Sequence, residues 1–202
     1  MKSQQEVTID SYNQTADDYA ANVAGLFLKK DAKSFLSYLS QGSLILDHGC
    51  GSGRDAREFT ERGYRVMGID FSEKMIEISR KNAPKAEFRL MNIVEMDFPG
   101  NYFDGAWSIA SLLHIPKADI PRAIGKVYGC LKAKGVWHMS VKEGEGEVIK
   151  PDARYGGVEK FWSFFRKEEL EFYLQNANFT VLNSYVEQAG PVSWVNVLCR
   201  KQ

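Results

Sequence analysis

Leu44-Ile45-Leu46-Asp47-His48-Gly49-Cys50-Gly51-Ser52-Gly53-Arg54-Asp55 is the stretch that decides the fold. A short apolar run enters three glycines at alternate positions. Arg54 to Arg62 then carries helix formers up to Gly63, a helix-stop signal. Glycine is needed where the backbone turns tightly and where a ligand approaches the main chain with no Cβ in the way. The N–H groups and dipole at the start of the next helix make such a loop a site for a polar ligand. Arg65–Asp70 reads as a second strand, and its last residue is an acid suited to accept both hydroxyls of a ribose.

Two nucleoside ligands compete for this pattern. Gly51-x-Gly53-x-x-Ala56 fits the dinucleotide fingerprint, with Asp70 at the matching distance. Against that, Asp47 and Gly49 start the turn early. An acid at the loop mouth suits a ligand with a cationic ammonium or sulfonium, whereas a pyrophosphate would be repelled.

Working outward, Ser72 caps a helix over 73–82 that Pro84 closes. Strands fit 86–90 and 103–108. Pro116 and Pro121 bracket entry into a helix reaching about Lys132, and Lys134-Gly135 turns the chain into a strand at 136–141. The Gly/Glu-rich stretch 143–157 reads as a mobile loop and 167–176 as a helix. Strands at 180–186 and 193–200 pair antiparallel, because their connection is too short for a helix. The alternation predicts an α/β sheet, parallel through its first five strands, behind a helical N-terminal extension over 9–33.

The whole chain, 202 residues, is the size of one domain. Its 26 basic and 26 acidic residues cancel, removing any whole-chain attraction to nucleic acid or anionic lipid. Cys50, Cys130 and Cys199 are as scattered as His48, His114 and His138, so neither a zinc site nor a disulfide framework is expected. MKSQQEVTID lacks the apolar core of a signal peptide, and no run is long enough for a membrane span. The expectation is a cytoplasmic protein, monomeric or homodimeric.

With these motifs in place, the sequence resembles the class I S-adenosylmethionine (SAM)-dependent methyltransferases, in the small-molecule branch with a UbiG/UbiE-like domain, over roughly residues 9–201. LDHGCGSGRD at 46–55 resembles the family's first motif and GID at 68–70 its second. FDGAWS at 103–108, SLLHIP at 111–116 and KGVWHMS at 134–140 resemble the later ones. The resemblance implies a Rossmann-like, doubly wound, seven-stranded sheet with one strand inserted antiparallel. It also implies one domain over 1–202, with 1–40 as a helical cap and 143–165 as a substrate-side loop.

Carried onto this sequence, the resemblance puts Gly49, Cys50 and Gly51 along the methionine part of SAM and Asp47 at its amino end. Arg54 would either pair with its carboxylate or stand as a solvated arginine in the first helical turn, and Ser108 would lie beside the methionine moiety. Asp70 would bind the ribose, with Phe71 on the adenine and Met75 as a wall. Asn92 and Ile93 would face the adenine edge and ring, Asn92 standing where the family often has an acid. Tyr12 and Tyr19 share a helical face; they form either a lid over the cofactor or a stripe docking the extension. His114 either meets the acceptor, where it is the first choice of base with Tyr19 or Tyr12 in reserve, or has a hydrogen-bonded or helix-start structural role. On the acceptor side Arg154, Tyr155 and Trp162 give an apolar wall with one cation, and Arg154 either clamps an acidic acceptor group or forms a salt bridge.

The function expected is methyl transfer from SAM to a small-molecule acceptor by in-line attack. The alternatives are an NAD(P)-dependent oxidoreductase using the same loop, or a SAM-binding module without catalysis.

Overall fold

Alternating apolar side chains build one sheet with a core on each face. In the computed structural model, which describes residues 2–202, the strands are β1 (Leu44–His48), β2 (Arg65–Asp70), β3 (Glu87–Leu90), β4 (Phe103–Ile109) and β5 (Leu131–Lys142), followed by β6 (Glu147–Asp152), β7 (Val158–Ser163), β8 (Phe179–Ala189) and β9 (Val192–Lys201). Seven form a single sheet in the order β3-β2-β1-β4-β5-β9-β8. The first five are mutually parallel, and β9 runs antiparallel to both β5 and β8. The sheet has the doubly wound order and the single inserted strand expected from the sequence. It also places β1 and β4 side by side at the point where strand order reverses, so their carboxyl ends open the ligand crevice.

The helices are α1 (Gln4–Val23), α2 (Lys29–Leu36), α3 (Arg54–Glu61), α4 (Glu73–Asn82), α5 (Ile120–Cys130) and α6 (Lys167–Asn176). Neighbouring strand residues serve opposite cores. Leu46, Ala106 and Trp137 join Ile124 of α5 and Leu170 of α6 on one face. Ile45, Trp107 and Val136 meet Phe35 of α2, Phe59 of α3 and Ile76 of α4 on the other. Ser72 caps α4 by accepting the Met75 N–H at 3.2 Å, and Pro121 sits in the first turn of α5, where its missing N–H costs nothing. The three cysteines are buried free thiols. Among the described residues, no helix is long and apolar enough to cross a membrane.

One expectation is corrected. The stretch 143–157 is not a loop: β6 pairs antiparallel with β7 in a separate two-stranded sheet, Ile149 opposite Phe161 and Pro151 opposite Glu159. Only Asp152 of β6 is buried, so its sequence shows no alternation to read, and its proline is tolerated in a two-stranded ribbon. Besides that correction, the helical N-terminal extension is made of two helices, α1 ending at Val23 and α2 starting at Lys29. Within α1, Thr15 leaves helical geometry and its Oγ1 bonds the Ser11 carbonyl at 2.8 Å, a back-bond that bends helices. The bent α1 lies across α4 and β7 and roofs the crevice.

Candidate functional site

The glycine loop is tied to the end of β2. Ile69 O accepts the N–H groups of both Gly49 and Cys50 at 2.9 Å. Gly49 has φ +82°, and a Cβ there would stand 2.3 Å from Ser111 Cβ, so position 49 tolerates only glycine. Asp70, at the tip of β2, accepts the Gly51 N–H on Oδ2 and the Ser72 N–H on Oδ1, each at 2.9 Å. Burial pushes its carboxyl up to about 6, against the pull of those backbone N–H groups. Asp47 lies beneath the loop, 2% exposed, with Oδ2 buried and unpartnered; burial first, then the Asp55 carboxylate, holds its pKa well above the usual range.

Above the loop, a small cavity of about 30 Å³ is lined by Gly49, Gly51, Asp70, Phe71, Met75 and Ile93 from the sheet side. Tyr12 and Tyr19 of α1 complete it, with Ile109, Ala110, Ser111 and His114 from the end of β4 onward. That volume is one water's share of liquid, because the two tyrosine rings fill the space. They meet edge to face, centroids 5.1 Å apart. Lys160 of β7 pins the roof from behind: its Nζ lies 4.2 Å from the Tyr12 ring centroid, 4.5 Å from Tyr155 and 5.7 Å from Tyr19. Its counter-ion is Asp152, at 3.5 Å, and burial draws its pKa down to about 8.

His114 is held by two hydrogen bonds. Nδ1 lies 2.8 Å from Phe161 O, which can only accept, so Nδ1 carries the proton. Nε2 is therefore an acceptor, and Tyr12 Oη donates to it at 2.9 Å. Burial drives the imidazole pKa down to about 3, so it is neutral at ordinary pH.

A larger cavity of about 260 Å³ adjoins this one and shares five of its walls: Tyr12, Tyr19, Ile109, Ala110 and His114. Leu26 and Leu28 beyond α1, Leu113, Trp162 and Trp194 give it an apolar lining, with Arg54, Lys142, Arg154 and Glu187 as its charged residues. Ala110 occupies the left-handed region at φ 55°, uncommon for a residue with a Cβ, where the two cavities meet.

Of the residues proposed from sequence, Tyr12, Tyr19, Gly49, Gly51, Asp70, Phe71, Met75, Ile93 and His114 converge on the small cavity. Cys50 and Arg54 line a recess beside it, and Arg154 and Trp162 line the larger cavity. Four assignments change. The Arg54 fork is engaged by Asp55, Nε–Oδ1 2.5 Å and Nη2–Oδ2 2.7 Å, instead of being free for a ligand carboxylate. Asn92 spends its amide oxygen on the Val94 N–H and its nitrogen on Gln5. Ser108 belongs to a closed buried chain in which Trp137 Nε1–H donates to Ser108 Oγ, Ser108 to His48 Nδ1, and His48 Nε2–H to Ile93 O. Tyr155 lies behind the wall against Lys160. Arg154 stands at the rim with its Nε and Nη2 on Asp152, which favours the salt-bridge reading.

Sequence reasoning passed over Lys142, Lys160, Ser111 and Trp194. Trp194 was legible as an aromatic in the last strand; nothing in the sequence marks the two lysines, because a lysine in a strand ordinarily points to water. The constellation fits SAM. At Gly51 only the Tyr19 ring comes near the place of a Cβ, at 3.6 Å, the unpartnered Asp47 oxygen awaits a polar group, and Asp70 retains lone pairs beside the apolar Phe71, Met75 and Ile93.

Residues 45–135 match a family model described as a methyltransferase domain. A 27-O-demethylrifamycin SV methyltransferase of Amycolatopsis mediterranei is 36% identical over 85 residues, 39% of this chain and 31% of that protein. A SAM-dependent Diels-Alderase of Talaromyces variabilis is 35% identical over 105 residues, 48% of this chain and 35% of that one. This chain thus spans about a third of the length of those two curated relatives. The fold matches that of a Burkholderia thailandensis 1,6-didemethyltoxoflavin-N1-methyltransferase solved with its substrate and S-adenosylhomocysteine, with TM-score 0.79, 20% identity, and coverage of 100% of this chain and 92% of that one.

Proposed function

We propose that the chain is a class I SAM-dependent methyltransferase and that it transfers a methyl group from SAM to a small-molecule acceptor; the match of residues 45–135 to a methyltransferase domain supports this reading. The observation that carries the reading is the wall common to the two cavities. A ligand on the glycine loop and one in the larger cavity meet across Tyr12, Tyr19, Ile109, Ala110 and His114.

SAM supplies a methyl group already activated on a sulfonium, so the protein's work is alignment and exclusion of water. In this reading Asp70 takes the ribose hydroxyls, Asp47 faces the ammonium end, and the main chain at Gly49, Cys50 and Gly51 carries the methionine portion. Phe71, Met75 and Ile93 sandwich the base. Tyr12 and Tyr19 stand in the space such a ligand needs, so α1 or its tyrosine rotamers shift to admit it, and the cap works as a lid.

The wall offers hydrogen bonds and lacks a strong base. His114 is held neutral with its pKa at about 3, and burial raises Tyr12 well above its ordinary value and Tyr19 to about 12. His114 orients Tyr12, and the site suits an acceptor that arrives with its lone pair available.

Thermal unfolding with SAM, S-adenosylhomocysteine, NAD and NADP in parallel tests the reading. A ligand at one hundred times its Kd stabilises by about 2.7 kcal/mol. Shifts are expected with the first two; a shift with NAD alone refutes the proposal. Methyl-labelled SAM incubated with a metabolite extract then separates transfer from binding, and binding with no label passed to any acceptor refutes the catalytic half.

A further inference from the structure

Lys142 is the unexplained charge of the larger cavity. It ends β5, is half-buried, and its Nζ stands 3.4 Å from the Trp162 ring centroid. The other two cations lining the cavity are answered, Arg54 by Asp55 and Arg154 by Asp152. Among the described residues, no hydrogen bond or ion pair ends on Lys142 Nζ; Glu187, on the rim, does not reach it. Its charged surroundings are Arg154, Lys150 and Lys160 against the single carboxylate of Asp152, already shared between Arg154 and Lys160. Lys142 is thus the cation of the cavity lining that no carboxylate answers.

A second donor lies in the same wall. Trp162 is 4% exposed and its Nε1–H is buried with no partner. Buried donors without acceptors are costly, and they are rare in folded proteins unless something outside the chain completes them.

We propose that Lys142 and Trp162 form the subsite for a carboxylate carried by an aromatic acceptor. This rests on the methyltransferase reading above and narrows its acceptor class. One unpaired ammonium compensates one negative charge; a phosphate dianion would leave charge uncompensated in an apolar cavity. Trp194, with Leu26, Leu28 and Leu113, supplies apolar surface for the ring. The carboxylate on Lys142 holds the acceptor by one end, and the opposite end faces the wall shared with the cofactor cavity.

The test is calorimetric, on the protein saturated with S-adenosylhomocysteine. It uses benzoate against benzamide and naphthoate against naphthamide, pairs that match in shape and differ in charge. At least one carboxylate is expected to bind about tenfold or more tighter than its amide. Lys142→Met, which keeps the stem over Trp162, should erase that preference, and Lys142→Arg should retain most of it. Equal affinity within every pair on the unaltered protein overturns the proposal, whatever the variants do, as does a preference that survives in Lys142→Met. Failure of S-adenosylhomocysteine itself to bind overturns the cofactor reading, and this subsite falls with it; binding of S-adenosylhomocysteine without a carboxylate preference overturns the subsite alone.

Discussion

Replacing Asp70 by Asn pulls stability and cofactor affinity in opposite directions. Burial raises this carboxyl from 3.8 to about 6, so keeping it ionised at neutral pH costs about 3 kcal/mol. Asn removes that cost, but its NH2 must face either the Gly51 or the Ser72 N–H, leaving a buried donor unsatisfied at about 1–3 kcal/mol. The ligand-free variant should therefore match the parent at neutral pH or exceed it by up to about 2 kcal/mol. The sign follows from linkage. An acid whose folded pKa is raised stabilises the fold below the unfolded pKa, and that contribution disappears as pH climbs through the folded pKa. The variant's relative stability should therefore rise by about 3 kcal/mol between about pH 4 and about pH 6 and stay level above that. SAM loses a charge-assisted pair to its ribose, about 2–3 kcal/mol, or roughly 30- to 150-fold in Kd. Urea denaturation across that pH range, with calorimetric titration of SAM, reads both quantities. Unchanged affinity would show that Asp70 does not hold the ribose, and a pH-independent stability difference would show that its charge is not suppressed by burial.

Other perturbations follow from the same geometry. His48, His114 and His138 are buried and neutral, their pKa values lowered by desolvation to about 4, 3 and 4, so the stability they contribute is present above about pH 6.5 and drains away below it. The three rings together should cost about 4 kcal/mol of unfolding free energy from pH 7.5 to pH 5.5, of which Asp70, raised to about 6, returns about 1 kcal/mol; a loss measured by denaturation in Asp70→Asn that stays near zero would mean these rings are hydrated. Tyr12→Phe removes the donor to His114 Nε2 and should cost about 1–3 kcal/mol while speeding proteolysis within α1; equal cleavage rates would mean the bond does not secure the roof. Gly49→Ala forces a Cβ to 2.3 Å from Ser111 Cβ at φ +82° and should destabilise by about 2 kcal/mol or more, with Ser111→Gly recovering only the collision and not the backbone strain.

What could be read from the sequence was whatever the chain specifies over short distances. Gly49, Gly51 and Asp70 were legible because strand, turn and strand end are fixed by a few neighbouring residues, and the antiparallel pair β8–β9 followed from a connection too short to hold a helix. Side-chain direction was not legible. Ser108 and Asn92 lie at the right ends of the right elements, yet His48 and Trp137 claim one and Val94 and Gln5 the other, partners set only by tertiary packing. The β6–β7 ribbon escaped because β6 is exposed along nearly all its length and carries a proline, so its pattern matches that of a solvated loop. Lys142 and Lys160 escaped for a related reason: their environment is made by α1 and the ribbon together, segments far apart in the chain.

The roof over the site also constrains how the molecule is made. Thr8 of α1 accepts the Phe161 N–H at 3.2 Å, a bond spanning 153 residues, and the Tyr12–His114 bond spans 102. As the chain leaves the ribosome, α1 emerges ahead of the sheet, and its docking surface on β7 arrives only after five sheet strands have been synthesised. The five parallel strands and the glycine loop precede β7 in the chain, so the floor of the crevice can form before the last part of its cover is made.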